Sequence, residues 1–206
     1  MTDIDIEYQY NSSSATYDSS YLVEPVLRQL KNTNIEDNRL FELGCGNGYI
    51  TKQYADLGLD VTAVDTSESG IRHAQKSYPN CRFEVASAYD DLAKRFGTFD
   101  CVVSLEVVEH VFSPKKYANT LFSLVKPQGT AIVSTPYHGY LKNLSIALLN
   151  KFDSHVDPLW EGGHIKFWSV NTLTKLLINA GFKQIDFVYA GRHPWLAKSM
   201  IAIARK

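Results

Sequence analysis

Three glycines at alternate positions, Gly44, Gly46 and Gly48, directly follow the apolar run 39–43 and lead into a segment with helical spacing, 49–57. A chain that turns from strand to helix without side chains lets its backbone come close to another group, because no Cβ stands in the way. The same glycines would also suit a tight turn with no ligand, so the triplet needs a partner elsewhere. Asp65 is that partner. The run 61–64 ends at this residue, about 20 residues past the glycines, where a carboxylate can accept both hydroxyl protons of a ribose.

Around this pair the chain alternates. Apolar runs at 39–43, 60–65, 82–86, 99–105 and 130–134 read as strands, and 49–57, 67–78 and 114–125 between them carry helical periodicity. A further helix is expected at 21–30, with Pro25 in its first turn. Strand and helix in strict alternation predict a parallel sheet covered on both faces. A helix at 170–180 stops at Gly181, and strands at 184–190 and 196–204 are joined by Gly191-Arg192-His193-Pro194, short enough to make them antiparallel. With 206 residues, a single domain is expected, with a polar arm at 1–20 and an inserted segment at 136–166.

Glu42-Leu43-Gly44-Cys45-Gly46-Asn47-Gly48 resembles the first motif of the class I S-adenosylmethionine (SAM)-dependent methyltransferases, acidic-x-G-x-G-x-G, at every defined position. Dinucleotide-binding folds instead use G-x-G-x-x-G, and here the third glycine comes one residue early. The resemblance runs from about residue 21 to the C-terminus and includes the final antiparallel pair. It implies a three-layer, Rossmann-like, doubly wound α/β sheet of seven strands, mostly parallel with the last antiparallel. It also implies that Glu42 and the backbone of Gly44, Cys45, Gly46, Asn47 and Gly48 hold the methionine end of SAM, and that Asp65 holds the ribose. Ser87 and Ala88 would face the adenine, although relatives often have an acidic residue where Ser87 stands. Thr66 and Leu105 complete the implied cofactor set, and S-adenosylhomocysteine would be the product.

After the run 99–105 comes Glu106-Val107-Val108-Glu109-His110-Val111. If helical, this segment puts Glu106, Glu109 and His110 on one face at the carboxyl edge of the sheet, where open α/β sheets bind ligands. Two carboxylates and an imidazole can hold a hard divalent cation or deprotonate a hydroxyl. The segment is similar to that of the ubiquinone-biosynthesis O-methyltransferases. It is also similar to that of the small-RNA 2′-O-methyltransferases, which bind magnesium there with a downstream histidine. The resemblance thus implies Glu106, Glu109, His110 and His164 as ligands of Mg2+, with His138 and His155 competing for the place of His164, and His110, Glu109 and His164 as catalytic residues.

The inserted segment should choose the acceptor. Tyr137, His138 and Tyr140 can line a pocket, and Leu141, Leu144, Leu148 and Phe152 form one stripe of a helix expected over 141–152. Such stripes commonly pack into a core, while the alternative is a lipid surface. Trp160, Trp168 and Trp195 can stack on an aromatic acceptor or serve as core and rim residues. The leading expectation is O-methylation of a small aromatic or prenylated, quinone-like hydroxyl. Two alternatives stand beside it: a noncatalytic SAM-binding module, and methylation of an RNA-terminal 2′-hydroxyl along Lys142, Lys151, Lys166, Arg192 and Lys198. With 21 Lys and Arg against 22 Asp and Glu, nucleic acid gripped by bulk charge is not expected. Cys45, Cys81 and Cys101 show neither disulfide nor zinc spacing and read as reduced and buried, and 1–20 lacks the pattern of a signal peptide, so a cytoplasmic location is expected.

Overall fold

The computed structural model describes residues 8–14, 20–157 and 159–206; the rest of the expected arm, 1–7 and 15–19, lies outside the described residues. Seven strands form one sheet: β1 (Arg39–Leu43), β2 (Asp60–Asp65), β3 (Arg82–Val85), β4 (Phe99–Leu105), β5 (Val125–Pro136), β6 (Gln184–Ala190) and β7 (Ser199–Arg205). Their order is β3-β2-β1-β4-β5-β7-β6, with β7 antiparallel to both neighbours and every other pairing parallel. The helices are α1 (Ser20–Lys31), α2 (Tyr49–Ala55), α3 (Glu68–Ser77), α4 (Leu92–Phe96), α5 (Pro114–Leu124), α6 (Tyr140–Leu148) and α7 (Val170–Ala180).

Side chains of a strand alternate between faces, and here both faces are dry. Leu40, Val61, Cys101, Val103, Ile132, Ile201 and Ile203 meet α1, α2 and α3 through Leu22, Val26, Tyr54 and Ile71. Their neighbours Phe41, Leu43, Val64, Val102, Val133, Met200 and Ala202 meet α4, α5 and α7 through Phe96, Leu121, Leu124 and Leu177. This two-sided burial explains why β4 and β7 read as largely apolar runs, Cys101–Val103 and Met200–Ala204 at their centres. Cys45 and Cys101 are buried free thiols, whereas Cys81 is only half-buried.

Several expected bounds shift. The helix α1 begins at Ser20, so Pro25 falls beyond its first turn. The strand β5 extends to Val125–Pro136, past a bulge opposite β4. Its partner β7 starts only at Ser199, because Pro194–Leu196 winds into a 3-10 turn. The helix α4 has only one turn, too short to show periodicity, and is set between Asp91, whose side chain caps Lys94 N, and Gly97. The stripe of α6 does not enter the core. Only Ile146 of that helix is buried, while Leu141 and Leu148 are 50% and 77% exposed.

Phe99 is fully buried, with its ring 5.0 Å from Phe41 and the Arg39 guanidinium 4.5 Å above it. Phe99→Ala is expected to lower the free energy of unfolding in urea by about 3–5 kcal/mol, and a loss below about 1 kcal/mol would show that the ring is not a core contact.

Candidate cofactor and acceptor site

The parallel strands β1, β2, β4 and β5 all present their carboxyl ends to one edge, and the strand order reverses between β1 and β4, so a crevice opens there. Gly44, Gly46 and Gly48 have φ of +85, +54 and +77°, a left-handed backbone that favours glycine. A Cβ on Gly44 would lie 2.2 Å from Val107 Cγ2, so the loop after β4 closes directly on the turn. Gly44 N–H and Cys45 N–H both donate to Val64 O, and Gly46 N–H donates to Asp65 Oδ2 at 2.7 Å. Ser67 N–H donates to Asp65 Oδ1 at 2.8 Å. The glycine turn and Asp65, paired on spacing alone, therefore face and touch one another.

Behind the turn Glu42 is buried and accepts a 2.5 Å hydrogen bond from Thr51 Oγ1, in the first turns of α2. Burial pushes its pKa up to about 8, against the pull of the Thr51 bond. Asn47 is also buried, but its amide donates to Ser12 O and Ser14 O at 2.8 Å each, so its side chain serves residues of the N-terminal arm. Thr66 is exposed beside Asp65, and Leu105 is buried at the end of β4. Ser87 and Ala88 follow β3; Ser87 N–H donates to Asp90 Oδ2 and the Ser87 hydroxyl accepts from Tyr89 N–H.

The segment after β4 is not helical. Glu106 takes a left-handed φ of +53°, and residues 108–110 form a turn, so Glu106 does not share a face with Glu109 and His110. Instead Ser134 Oγ and Ser199 Oγ donate to the Glu106 carboxylate at 2.7 and 3.2 Å. Burial lifts its pKa to about 7 against these two bonds.

The structure does bring Glu109, His110 and His164 together, with one potential ligand atom from each lying within 4.8 Å of the others. The turn and the returning insertion are stitched by Ile165 N–H and Lys166 N–H, both donating to Glu109 O at 3.0 Å, and by Trp168 Nε1–H donating to Val108 O. His110 Nδ1 lies 2.9 Å from Gly162 O and 3.2 Å from Gly163 O. Carbonyls only accept, so Nδ1 carries the proton and Nε2 keeps a lone pair. Burial lowers the pKa of His110, and it lowers that of His164 to about 4 with the help of the neighbouring His110 and His138. Val107, three residues before His110, is the side chain that closes on Gly44, so the turn that carries Glu109 and His110 packs against the glycine turn. Neither oxygen of the buried Glu109 carboxylate has a hydrogen-bond partner among the described residues, and burial together with Glu106 drives its pKa well above the carboxylate range.

The competing histidines sit elsewhere in the insertion: His138 against the Phe167 ring and Asn143, His155 on Lys151 O. Trp160 packs 5.3 Å from the His164 ring at the rim, Trp168 belongs to the core, and Trp195 is exposed beside His193. Tyr137 stacks edge-on with Tyr189, and Tyr140 is exposed. Of the five basic residues, Lys142 is engaged by Ala197 O and Lys198 O, and Lys198 lies over the Tyr21 ring. Sequence reasoning missed Thr51, Ser134 and Ser199, which orient the acids, and the arm residues 8–14. Serines and threonines carry no periodic signal, but Gly70 inside α3 was a visible hint that something packs closely there.

The methyltransferase domain family matches residues 15–186. The ubiquinone biosynthesis O-methyltransferase of Caulobacter sp. (strain K31) is 40% identical over 119 residues, 56% of this chain and 47% of that protein. The one from Dinoroseobacter shibae is 32% identical over 166 residues, 77% of this chain and 66% of that protein. The chain thus spans about half the length of the Caulobacter relative. Among solved structures, a SAM-dependent methyltransferase from Methanosarcina mazei superposes with a TM-score of 0.67 at 21% identity, covering 86% of this chain and 96% of that one. Magnesium protoporphyrin IX methyltransferase from Synechocystis PCC 6803 with bound S-adenosylhomocysteine superposes with 0.65 at 20%, covering 90% and 80%. With the glycine turn, the facing carboxylate and the reversed last strand, these likenesses place the chain in the methyltransferase domain family, within the SAM-dependent class.

Proposed function

We propose that the chain transfers the methyl group of SAM to a hydroxyl of a small aromatic or quinone-like acceptor. The observation that carries this reading is His110, whose Nδ1 is held by the Gly162 and Gly163 carbonyls so that Nε2 keeps a lone pair, on the turn whose Val107 closes on Gly44. Bound SAM supplies an electrophilic methyl on a sulfonium. The residues present fit it: among the described residues only the Tyr10 phenol stands over the Gly46 backbone, the Asp65 carboxylate faces the same turn through Gly46 N–H, and Glu42 offers a carboxylate to the methionine ammonium. His110 Nε2 takes the proton from the acceptor hydroxyl, and the rigid turn between β4 and the insertion supplies alignment.

The exposed stripe Leu141, Leu144, Leu148 and Phe152 supports an acceptor with a long apolar portion, since it offers uncovered hydrocarbon beside the site's insertion. The same stripe can rest on a lipid surface that holds such an acceptor. Among the described residues no helix is long and apolar enough to cross a membrane.

A second reading concerns the trio Glu109, His110 and His164, for which the two orphaned Glu109 oxygens speak. Two neutral imidazoles and one carboxylate fit a divalent ion, but Mg2+ prefers oxygen ligands, and this donor set better suits a first-row transition ion. An ion held there would lower the pKa of a coordinated acceptor hydroxyl. Glu106, engaged by two serines, stands outside the set.

Three outcomes test these readings. Asp65→Asn, which keeps an acceptor for only one of the two backbone amides, is expected to weaken SAM binding in calorimetry by about 1–3 kcal/mol; unchanged affinity would remove Asp65 from the site. Glu42 holds a folded pKa of about 8, above the 4.5 of a free carboxyl, so it is protonated at pH 7 and loses its proton when an ammonium is brought beside it. SAM binding at pH 7 should therefore release protons, read as a calorimetric heat that varies with buffer ionisation, and the release should vanish in Glu42→Gln and fade as pH rises past 8. Equal heats in all buffers would place Glu42 away from the ammonium. Equilibrium dialysis with Zn2+ or Mn2+ should show retention by the full chain and a loss in Glu109→Gln and His164→Ala at least as large as the roughly 10–100-fold seen when even an outer partner is removed. Equal retention in all three would exclude the trio as a metal site.

A further inference from the structure

Residues 8–14 lie across the glycine turn, and the contacts that hold them are specific. Tyr10 N–H donates to Ser69 Oγ at 3.0 Å, and the Ser67 hydroxyl donates to Tyr8 O at 2.6 Å, both at the start of α3. The Asn47 amide clips Ser12 O and Ser14 O from the turn itself. At the far end of α3 the Ser77 hydroxyl bonds Ser13 Oγ at 2.9 Å, and the Tyr78 hydroxyl donates to Ser13 O at 3.2 Å. The strap thus spans from the β1–α2 turn to both ends of α3.

Its centre is the Tyr10 side chain. A Cβ on Gly46 would come 2.4 Å from the Tyr10 hydroxyl oxygen, and one on Gly70 would come 2.9 Å from the ring and 2.7 Å from Gly46 O. Two glycines therefore leave a slot that the phenol fills, with the Tyr8 ring edge-on at 4.7 Å. Gly70 stands in the first turn of α3, where a side chain would meet both Gly46 O and the Tyr10 ring, so its presence fits this close approach. Tyr10 is deeply enough buried, and close enough to Asp65, that both raise its phenol pKa. The slot opens onto the two groups assigned to SAM, the Gly46 backbone and the Asp65 carboxylate.

We propose that residues 8–14 are a gate over the cofactor site, with Tyr10 as its moving part: SAM and S-adenosylhomocysteine exchange only while Tyr10 is out of the slot between Gly46 and Gly70. The gate rests on the assignment of the glycine turn to SAM. It opens without unfolding the domain, because it is held by hydrogen bonds near the surface and by one ring rather than by a shared core, the kind of segment that opens locally at low cost. Asn47 then acts on the cofactor by latching the strap, and its side chain is a positioning group.

The test follows release of S-adenosylhomocysteine from the 206-residue chain after a chase with excess unlabelled ligand. Tyr10→Ala should speed release about tenfold while changing the equilibrium dissociation constant less than the rate, since a gate acts on access in both directions. The double variant Ser13→Cys with Ser77→Cys places thiols where hydroxyls stand 2.9 Å apart, and its oxidised form should release the ligand more slowly than wild type, with reductant restoring the rate. Release rates equal to wild type in both variants would overturn the gate and leave the cofactor assignment standing. No binding of either SAM or S-adenosylhomocysteine by wild type and Tyr10→Ala would instead overturn the assignment and the gate with it. Hydrogen exchange on the ligand-free wild-type chain gives an independent check: the Tyr10 amide should be protected by its bond to Ser69, and full exposure of 8–14 would sink the proposal.

Discussion

The hydrogen bond from Gly46 N–H to the Asp65 carboxylate joins the two halves of the candidate cofactor site before any ligand is considered. It ties the turn after β1 to the end of β2, and the paired bonds of Gly44 and Cys45 to Val64 O extend the tie by one residue. A turn made of left-handed glycines has little conformational preference of its own, so its shape must be imposed from outside. Here the neighbouring strand imposes it. The carboxylate that would grip a ribose is thereby already oriented by two backbone donors, Gly46 and Ser67, without help from a ligand.

The acceptor side is built on a different principle. There, a turn after β4 and a long excursion after β5 return to each other, and the main-chain oxygen of Glu109 accepts from two successive amides of the insertion. That stitch holds His164 against His110, with ring centroids 4.9 Å apart, and sets the tautomer of His110 through the Gly162 and Gly163 carbonyls. The helix that opens the insertion, α6, lends the domain only Ile146 and keeps the rest of its apolar stripe outside. The cofactor half is thus rigid by virtue of the sheet, and the acceptor half by virtue of one loop-to-loop seam.

Much of this was legible in the residues, and the failures have physical reasons. Strands buried on both faces announce themselves as apolar runs, so β1, β2 and β4 carry their expected bounds, the partly exposed edge strand β6 keeps its own, and α7 does too because Ser169 caps it and Gly181 ends it. The pairing of the glycines with Asp65 was legible because it depends only on the length of one strand-helix-strand unit. The shared face of Glu106, Glu109 and His110 was misread because i, i+3 and i+4 are neighbours only on a helix, and Glu106 instead leaves the strand with a positive φ. The stripe of α6 was misread for another reason: apolar periodicity reports that a face is apolar, not that anything covers it. The arm 8–14 could not be read at all, since its hold on the domain runs through serine hydroxyls, carbonyls and a single ring.

Both halves also share an electrostatic device. Glu42 behind the turn and Glu109 behind the histidines are buried carboxyls whose pKa values are raised by burial, and Glu106 between them follows the same trend. A buried carboxyl is costly to charge alone and inexpensive to charge beside a cation, so each gains its full charge only in company. The ammonium and sulfonium of SAM would be such company for the first half, and a divalent ion for the second. A site built this way carries little uncompensated negative charge while it is empty, which favours a stable closed fold, and gains attraction for positive ligands as they arrive. Loss of the sulfonium charge on methyl transfer would leave the ammonium assigned to Glu42 in place, so that acid would hold substrate and product through the same contact.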